Sequence, residues 1–328
     1  MLAILAPGQG AQSPGFLTSW LAHEGTSDLL KEWSKQIDLD LIRLGSTADD
    51  LEIRETSNAQ PLLVAAGLIS YIQLVGNQDF SSNSVNFFAG HSVGEITAAT
   101  LSGIIDPKTA MSLVSARGRA MSTAAIGSET GMSAVLGGDR ESVLSILESL
   151  HLVPANENGA GQIVAAGKLS DLKLLADNPP SGARIRSLAV SGAFHTEVMK
   201  PAVSALADAA FSAITRDPLA PVLSNLDGEP ISNGDEFLAR IVGQVAGPVR
   251  WDLCMKTLAD NGVTGVIEVA PGGTLTGLFK RSFPDIESCS LKTPQDLSSA
   301  REFAQKHFTA LTNGERQHTE KTSTHDDN

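Results

Sequence analysis

The sequence predicts an α/β fold with a small unit set into a larger one, and three observations support this expectation. Short apolar, β-rich runs alternate with helical stretches; the middle of the chain shifts to a β-α-β-β-α-β rhythm; and a serine flanked by glycines sits where an apolar run meets a helix.

The first run, "LAILAP" (2 to 7), reads as a strand. The surrounding "MLAILAPGQGAQ" has no basic flank and no small-residue cleavage site, so it is not read as a signal peptide, and a cytoplasmic protein is expected. "NAQPLLVAAGLISYIQLVG" (58 to 76) reads as a buried helix, "SVNFFAG" (84 to 90) as a strand and "GEITAATLSGII" (94 to 105) as a second buried helix. From residue 131 the order is strand "GMSAVLGG", helix "DRESVLSILESL", two strands around "LVPANENGAGQIVAAG", helix "LSDLKLLADN" and strand "ARIRSLAVS". That order is the ferredoxin-like pattern, and it places a small inserted subdomain at 127 to 191. "PVLSNL" (221 to 226) and "VTGVIEVAP" (263 to 271) return to strand patterning. The polar "TNGERQHTEKTSTHDDN" (312 to 328) has no apolar periodicity and is expected to be disordered.

Composition narrows the function classes. The 42% hydrophobic and 19% charged content, with mean hydropathy near zero, describes an ordinary folded domain. No uninterrupted apolar run reaches the roughly 18 residues of a membrane helix, so no membrane role is expected. A net charge of −13 argues against nucleic acid as a partner. Cys254 and Cys289 have neither metal-site nor disulfide-framework spacing, and they read as small apolar residues.

"GHSVG" (90 to 94) matches the Gly-x-Ser-x-Gly elbow, a sharp strand-to-helix turn that exposes a hydroxyl. Two readings stay open on the motif alone: Ser92 is a nucleophile, or it caps the helix. As a nucleophile it needs a base within hydrogen-bond reach. Of seven histidines, His318 and His325 fall in the tail, and His307 lies on an amphipathic terminal helix and is expected to be solvated. His23 and His151 carry no motif, and His91 adjoins the serine, where neighbours on a sharp turn point apart. His195, in "AVSGAFHTEVMKPA", follows a strand and a Ser-Gly turn and is the best candidate base, with an idle helix-start histidine as the alternative. No distinctive acid stands between Ser92 and His195, which weakens a lipase-like triad.

Six ordered motifs, "PGQGAQ" (7 to 12), "GHSVGE" (90 to 95), "SARGRAM" (115 to 121), "GQIVAAG" (161 to 167), "SGAFHT" (191 to 196) and "QVAGPVRW" (244 to 251), resemble the malonyl-CoA:acyl carrier protein transacylases, most closely the stand-alone actinobacterial type. The resemblance covers about 1 to 295. It implies an α/β-hydrolase-like large subdomain at 1 to 126 and 192 to 311 with the ferredoxin-like subdomain inserted.

The resemblance also implies roles. Ser92 matches the acylated nucleophile, His195 its base, and Gln244 the residue whose side-chain carbonyl orients that histidine. Gln9 and Val93 match the backbone donors of the oxyanion hole, and Arg117 the cation that binds the free malonyl carboxylate. Without the resemblance, Arg117 would read as a surface arginine. Phe194 matches a bulky residue that crowds an α-methyl branch, and Met121, His91, Asn156 and Asn158 complete the substrate-binding candidates. The resemblance implies malonyl-CoA and acyl carrier protein as partners, a monomer, and no metal or redox cofactor. A serine thioesterase, an acyltransferase serving a polyketide synthase and a non-catalytic carrier-binding module are the competing readings.

Overall fold

The computed structural model describes residues 1 to 76 and 84 to 308, so the 312 to 328 tail lies outside the described residues. It is a mixed α/β protein with strands β1 (Leu2–Ala6), β2 (Phe87–Gly90), β3 (Thr130–Gly137), β4 (Val153–Glu157), β5 (Gln162–Lys168), β6 (Ala183–Ser187), β7 (Val222–Leu223), β8 (Pro230–Ile231), β9 (Val249–Arg250), β10 (Gly265–Glu268) and β11 (Glu287–Ser290). They form two sheets, ordered β11-β10-β1-β2-β7-β8 and β6-β3-β5-β4-β9.

The first sheet is parallel from β11 to β7, and β8 closes its edge antiparallel. Its central strand β1 is buried on both faces, which accounts for the unbroken apolar run "LAILA". The two-residue period of a strand divides that run between two cores. Leu2, Ile4 and Ala6 pack with Leu62, Leu63, Ile96 and Val114 on one face, whereas Ala3 and Leu5 pack with Trp251, Met255, Leu278 and Phe279 on the other. Each such leucine or isoleucine contributes roughly 1.5–3 kcal/mol by leaving water.

The helix Thr56–Val75 is apolar enough by length and composition to cross a membrane. Fifteen of its residues are buried inside the protein, so its uniform hydrophobicity reflects burial all round rather than a lipid-facing surface.

The second sheet is built by a β-α-β-β-α-β segment. β3 pairs antiparallel with both β5 and β6, and β4 pairs antiparallel with β5. Val135, Ile163 and Ala165 form a separate small core with Val143 and Leu147 of the helix Arg140–Ser149 and Leu172 and Leu175 of the helix Leu169–Asp177. The opposite face, through Met132, Val164 and Ala166, joins the large core. β9, from far downstream, adds a parallel fifth strand to the edge of β4.

Three expectations are corrected. The helix read as 94 to 105 ends at Leu101, because Gly103 takes a φ of +88° and turns the chain away. The strand read through Ser191 ends at Ser187. His307 is buried, not solvated: its helix, 297 to 308, covers the edge of the first sheet, where Nδ1 shares a 2.8 Å hydrogen bond with Thr264 Oγ1 and the ring packs 4.4 Å from Phe303. Cys254 and Cys289 are free thiols, the first buried and the second half-buried.

The join between β2 and the helix Gly94–Leu101 sets the position of everything that follows. A Cβ on Gly90 would lie 2.0 Å from the Gly94 carbonyl, and one on Gly94 would lie 2.2 Å from the Ala6 carbonyl oxygen. Strand and helix can approach this closely only without side chains at either place. Gly94→Ala should therefore cost about 1–3 kcal/mol of stability, read as a lowered urea midpoint; a midpoint equal to that of the native protein would show that the join tolerates a side chain.

Candidate active site

Ser92 sits at the tip of this join with φ +53°, a left-handed conformation that is costly for a residue with a Cβ. Asn225, just beyond β7, holds it. Its Oδ1 accepts from the Ser92 peptide N–H at 2.8 Å, and its Nδ2 donates to the Gly90 carbonyl at 2.8 Å. One fully buried side chain thus satisfies both ends of the turn.

The helix after Ser92 has Val93 at its N-cap and no side-chain cap. The capping alternative therefore does not describe this serine, whose hydroxyl points elsewhere. Ser92 Oγ lies 2.8 Å from His195 Nε2 and accepts from Arg117 Nη2 at 3.2 Å. The N–H groups of Val93 and Gln9, which both line the cavity at Ser92, have no acceptor among the described residues.

His195 is also left-handed, with φ +61°, and its own N–H donates to the Val245 carbonyl. Its Nδ1 faces two main-chain carbonyls, those of Gln244 at 2.9 Å and Gly247 at 3.1 Å. Two acceptors at Nδ1 fix the proton there and leave Nε2 free to accept from the serine. Burial, reinforced by the Arg117 charge, pushes the imidazole down to about 3, so it is neutral at physiological pH and its Nε2 lone pair is open to the serine proton.

This geometry corrects one expected role. The carbonyl that orients His195 is the main-chain one of Gln244, not its side chain. The helix Gly234–Gln244 ends at this residue, so its last carbonyl has no partner further along the helix; it accepts from the Gly247 N–H at 3.0 Å and has a second lone pair for the imidazole. The Gln244 side chain turns inward instead: Oε1 accepts from Arg117 Nη2 at 2.8 Å, and Nε2 donates to the Ser92 carbonyl at 3.1 Å and to Glu95.

Arg117 is 1% exposed, not a surface arginine. Nη1 donates to Gln60 Oε1 at 2.7 Å, and Nε has no partner among the described residues. Burial lowers its pKa to about 10, which leaves it charged at neutral pH. No carboxylate among the described residues pairs with it directly. Glu95 is equally buried, and burial raises its carboxyl to about 8, against the donors of Asn225 and Gln244 and the charge of Arg117.

A cavity of about 290 Å³ opens over Ser92 between the two sheets. Gln9, His91, Ser92, Val93, Arg117 and Met121 line it from the large body together with Phe194 and His195, and Asn156 and Asn158 line it from the second sheet. The His91 Nε2 shares a 2.8 Å hydrogen bond with Asn158 Oδ1, and its ring packs edge-on against Trp251. Met121 Sδ accepts from Gln60 Nε2 at 3.4 Å. Arg281 and Arg54, the latter paired with Asp50 at 2.6 Å, are also on the cavity wall.

Glu95, Asn225 and Gln60 escaped the sequence reading. Each is polar in an apolar stretch: Glu95 is the only charge in "GEITAATLSGII", Gln60 precedes "PLLVAAG", and Asn225 closes "PVLSN". A buried polar residue in such a run needs a partner, and that was the available signal.

The chain is similar to several known proteins. The acyl transferase domain family matches residues 5 to 317. A malonyl CoA-acyl carrier protein transacylase from Mycobacterium tuberculosis is 49% identical over 297 residues, covering 90% of this chain and 98% of the relative. The crystal structure of MCAT from the same organism superposes with a TM-score of 0.88 at 48% identity, over 91% of this chain and 99% of that one. A malonyl-transacylase solved in complex with a type II PKS acyl-carrier protein superposes with a TM-score of 0.86 at 29% identity, over 92% and 99% of the two chains. This chain therefore belongs to the acyl transferase family, within the group of malonyl-CoA:acyl carrier protein transacylases.

Proposed function

We propose that the protein transfers the malonyl group of malonyl-CoA to the phosphopantetheine thiol of acyl carrier protein through a malonyl-serine ester, supplying fatty-acid elongation. One observation carries this reading: Ser92 Oγ lies within hydrogen-bond reach of both a base, His195 Nε2 at 2.8 Å, and a buried cation, Arg117 Nη2 at 3.2 Å. A malonyl thioester has its reacting carbonyl and its free carboxylate one methylene apart. A nucleophile flanked by base and guanidinium matches that spacing, and a planar guanidinium suits a carboxylate.

In the forward half-reaction His195 Nε2 takes the Ser92 proton as Oγ bonds to the thioester carbon. The oxyanion is received by the N–H groups of Val93 and Gln9. The carbon–sulfur bond then breaks, and the CoA thiolate leaves with the proton from His195. The second half-reaction reverses these steps with the carrier's thiol as attacker and the serine oxygen as leaving group. The scheme needs no metal or redox cofactor. Arg54 and Arg281 favour the phosphates of CoA at the cavity. Phe194, beside the base, limits space for a branched acyl group, and Asn156, Asn158, His91 and Met121 complete the substrate walls. The relative solved with a polyketide carrier supports a carrier protein as acceptor.

We also read the architecture as an α/β-hydrolase-like body at 1 to 126 and 192 to 311 carrying a ferredoxin-like insertion at 127 to 191. The support is the antiparallel order β6-β3-β5-β4 produced by a β-α-β-β-α-β chain.

Incubation with malonyl-CoA should give a single malonyl adduct on Ser92 by intact-mass and peptide analysis, and Ser92→Ala should give none. With labelled malonyl-CoA, label should pass to the carrier when it is present; rapid release of free malonate without carrier would instead mark a hydrolase. Arg117→Ala should lower kcat/KM for malonyl-CoA about 100-fold or more while reducing transfer from acetyl-CoA far less. Equal losses with both donors would contradict the clamp.

A further inference from the structure

Glu95 lies in the first turn of the helix Gly94–Leu101, is 1% exposed, and has no part in the chemistry above. Its two oxygens face nitrogen donors. Oε1 accepts from the Asn225 peptide N–H at 2.5 Å, and Oε2 accepts from Gln244 Nε2. A peptide N–H can only donate. The Gln244 amide has its orientation dictated from the other side, because its Oε1 meets Arg117, a group with donors alone. The amide is therefore wedged between an acceptor and a cation, and Glu95, Gln244 and Arg117 form one buried line.

We propose that Glu95 is a positioning residue for carboxylate recognition, an ionised counter-charge that holds the Gln244 amide and, through it, sets the Arg117 guanidinium to receive the acid. This rests on the reading of Arg117 as the malonyl clamp. A carboxylate in direct contact with Arg117 would compete with the substrate for the same donors. A neutral amide in between supplies the opposing charge at one remove and leaves the guanidinium open to a second anion. A protonated Glu95 would need an acceptor for its proton, and the only way to provide one at Gln244 is to turn the amide and point its NH₂ at Arg117.

Burial raises the Glu95 carboxyl to about 8, and the groups around it pull the other way: Arg117 from the helix Pro107–Ala125, Arg240 and Gln244 from the helix Gly234–Gln244, and the Asn225 peptide. The Cys254 thiol, from the helix Trp251–Asp260, is held neutral beside it. The ionised form is the one that holds the clamp, so malonyl selectivity is present above this range and declines as pH falls through it.

The test is the ratio of kcat/KM for malonyl-CoA to that for acetyl-CoA, measured from about pH 6 to 9, where the malonyl carboxylate and Arg117 keep their charges. His195 serves both donors, so its titration cancels in the ratio. The native ratio should rise with pH. In Glu95→Gln it should be roughly tenfold lower, carried by KM for malonyl-CoA, and flat with pH; Glu95→Asp should recover part of both. If Arg117→Ala leaves the ratio unchanged, the clamp reading itself falls. If Arg117→Ala collapses the ratio while Glu95→Gln keeps the native ratio and slope, or loses both donors equally, the positioning role alone is overturned. Should Glu95→Gln fail to fold, the native profile decides, and a flat one overturns the proposal.

Discussion

The site depends on one turn held where a serine would not rest by itself. Ser92 has φ +53° because β2 and the following helix meet with no side chain between them, and Asn225 satisfies the peptide groups exposed by that bend. The bend presents the hydroxyl at the rim of the first sheet and leaves the next N–H without an acceptor among the described residues. His195 is a second left-handed residue, on a loop tied to the chain at Val245. Nucleophile and base thus both occupy strained backbone, and both are locked by hydrogen bonds from elements distant in sequence. Local conformational cost is offset by a network that spans the large body.

That network also explains how an arginine can be kept from water without being neutralised. Arg117 donates to two glutamine oxygens, and its nearest linked carboxylate, Glu95, stands behind one of those amides. Neutral acceptors satisfy donors without consuming charge. The guanidinium retains an electrostatic demand for an anion, directed at the cavity and adjacent to the serine.

Motifs with strong backbone demands were readable from the chain. The Gly-x-Ser-x-Gly elbow, the unbroken apolar run "LAILA" and the β-α-β-β-α-β rhythm each leave a pattern because glycine, burial on both faces of a strand and element order follow directly from local geometry. Arg117 was legible only through the family resemblance, since nothing in "SARGRAM" distinguishes a buried arginine from an exposed one. Gln244 was found but given the wrong atom: a sequence names side chains, and the carbonyl used here belongs to the end of a helix. Asn225 and Glu95 meet Ser92 and Gln244 across separations of more than a hundred residues, which no local pattern records. His307 was misplaced because an amphipathic stripe shows which residues share a face but not what covers them.

β9 has a consequence for how this chain can be recombined. The second sheet takes four of its strands from one continuous segment, but its edge is completed by Val249 and Arg250, paired with Asn156 and Glu157. The same short strand runs directly into the helix that begins at Trp251, against which the His91 ring packs. A chimera that exchanged only 127 to 191 with a relative would mate a foreign β4 with the host's β9, at a seam carrying the Arg250 contacts to Glu157 and Asp252. The sequence limits of the β-α-β-β-α-β segment are therefore not the limits of its sheet, and the residues at 249 and 250 must travel with that segment for an exchange to preserve the wall of the cavity.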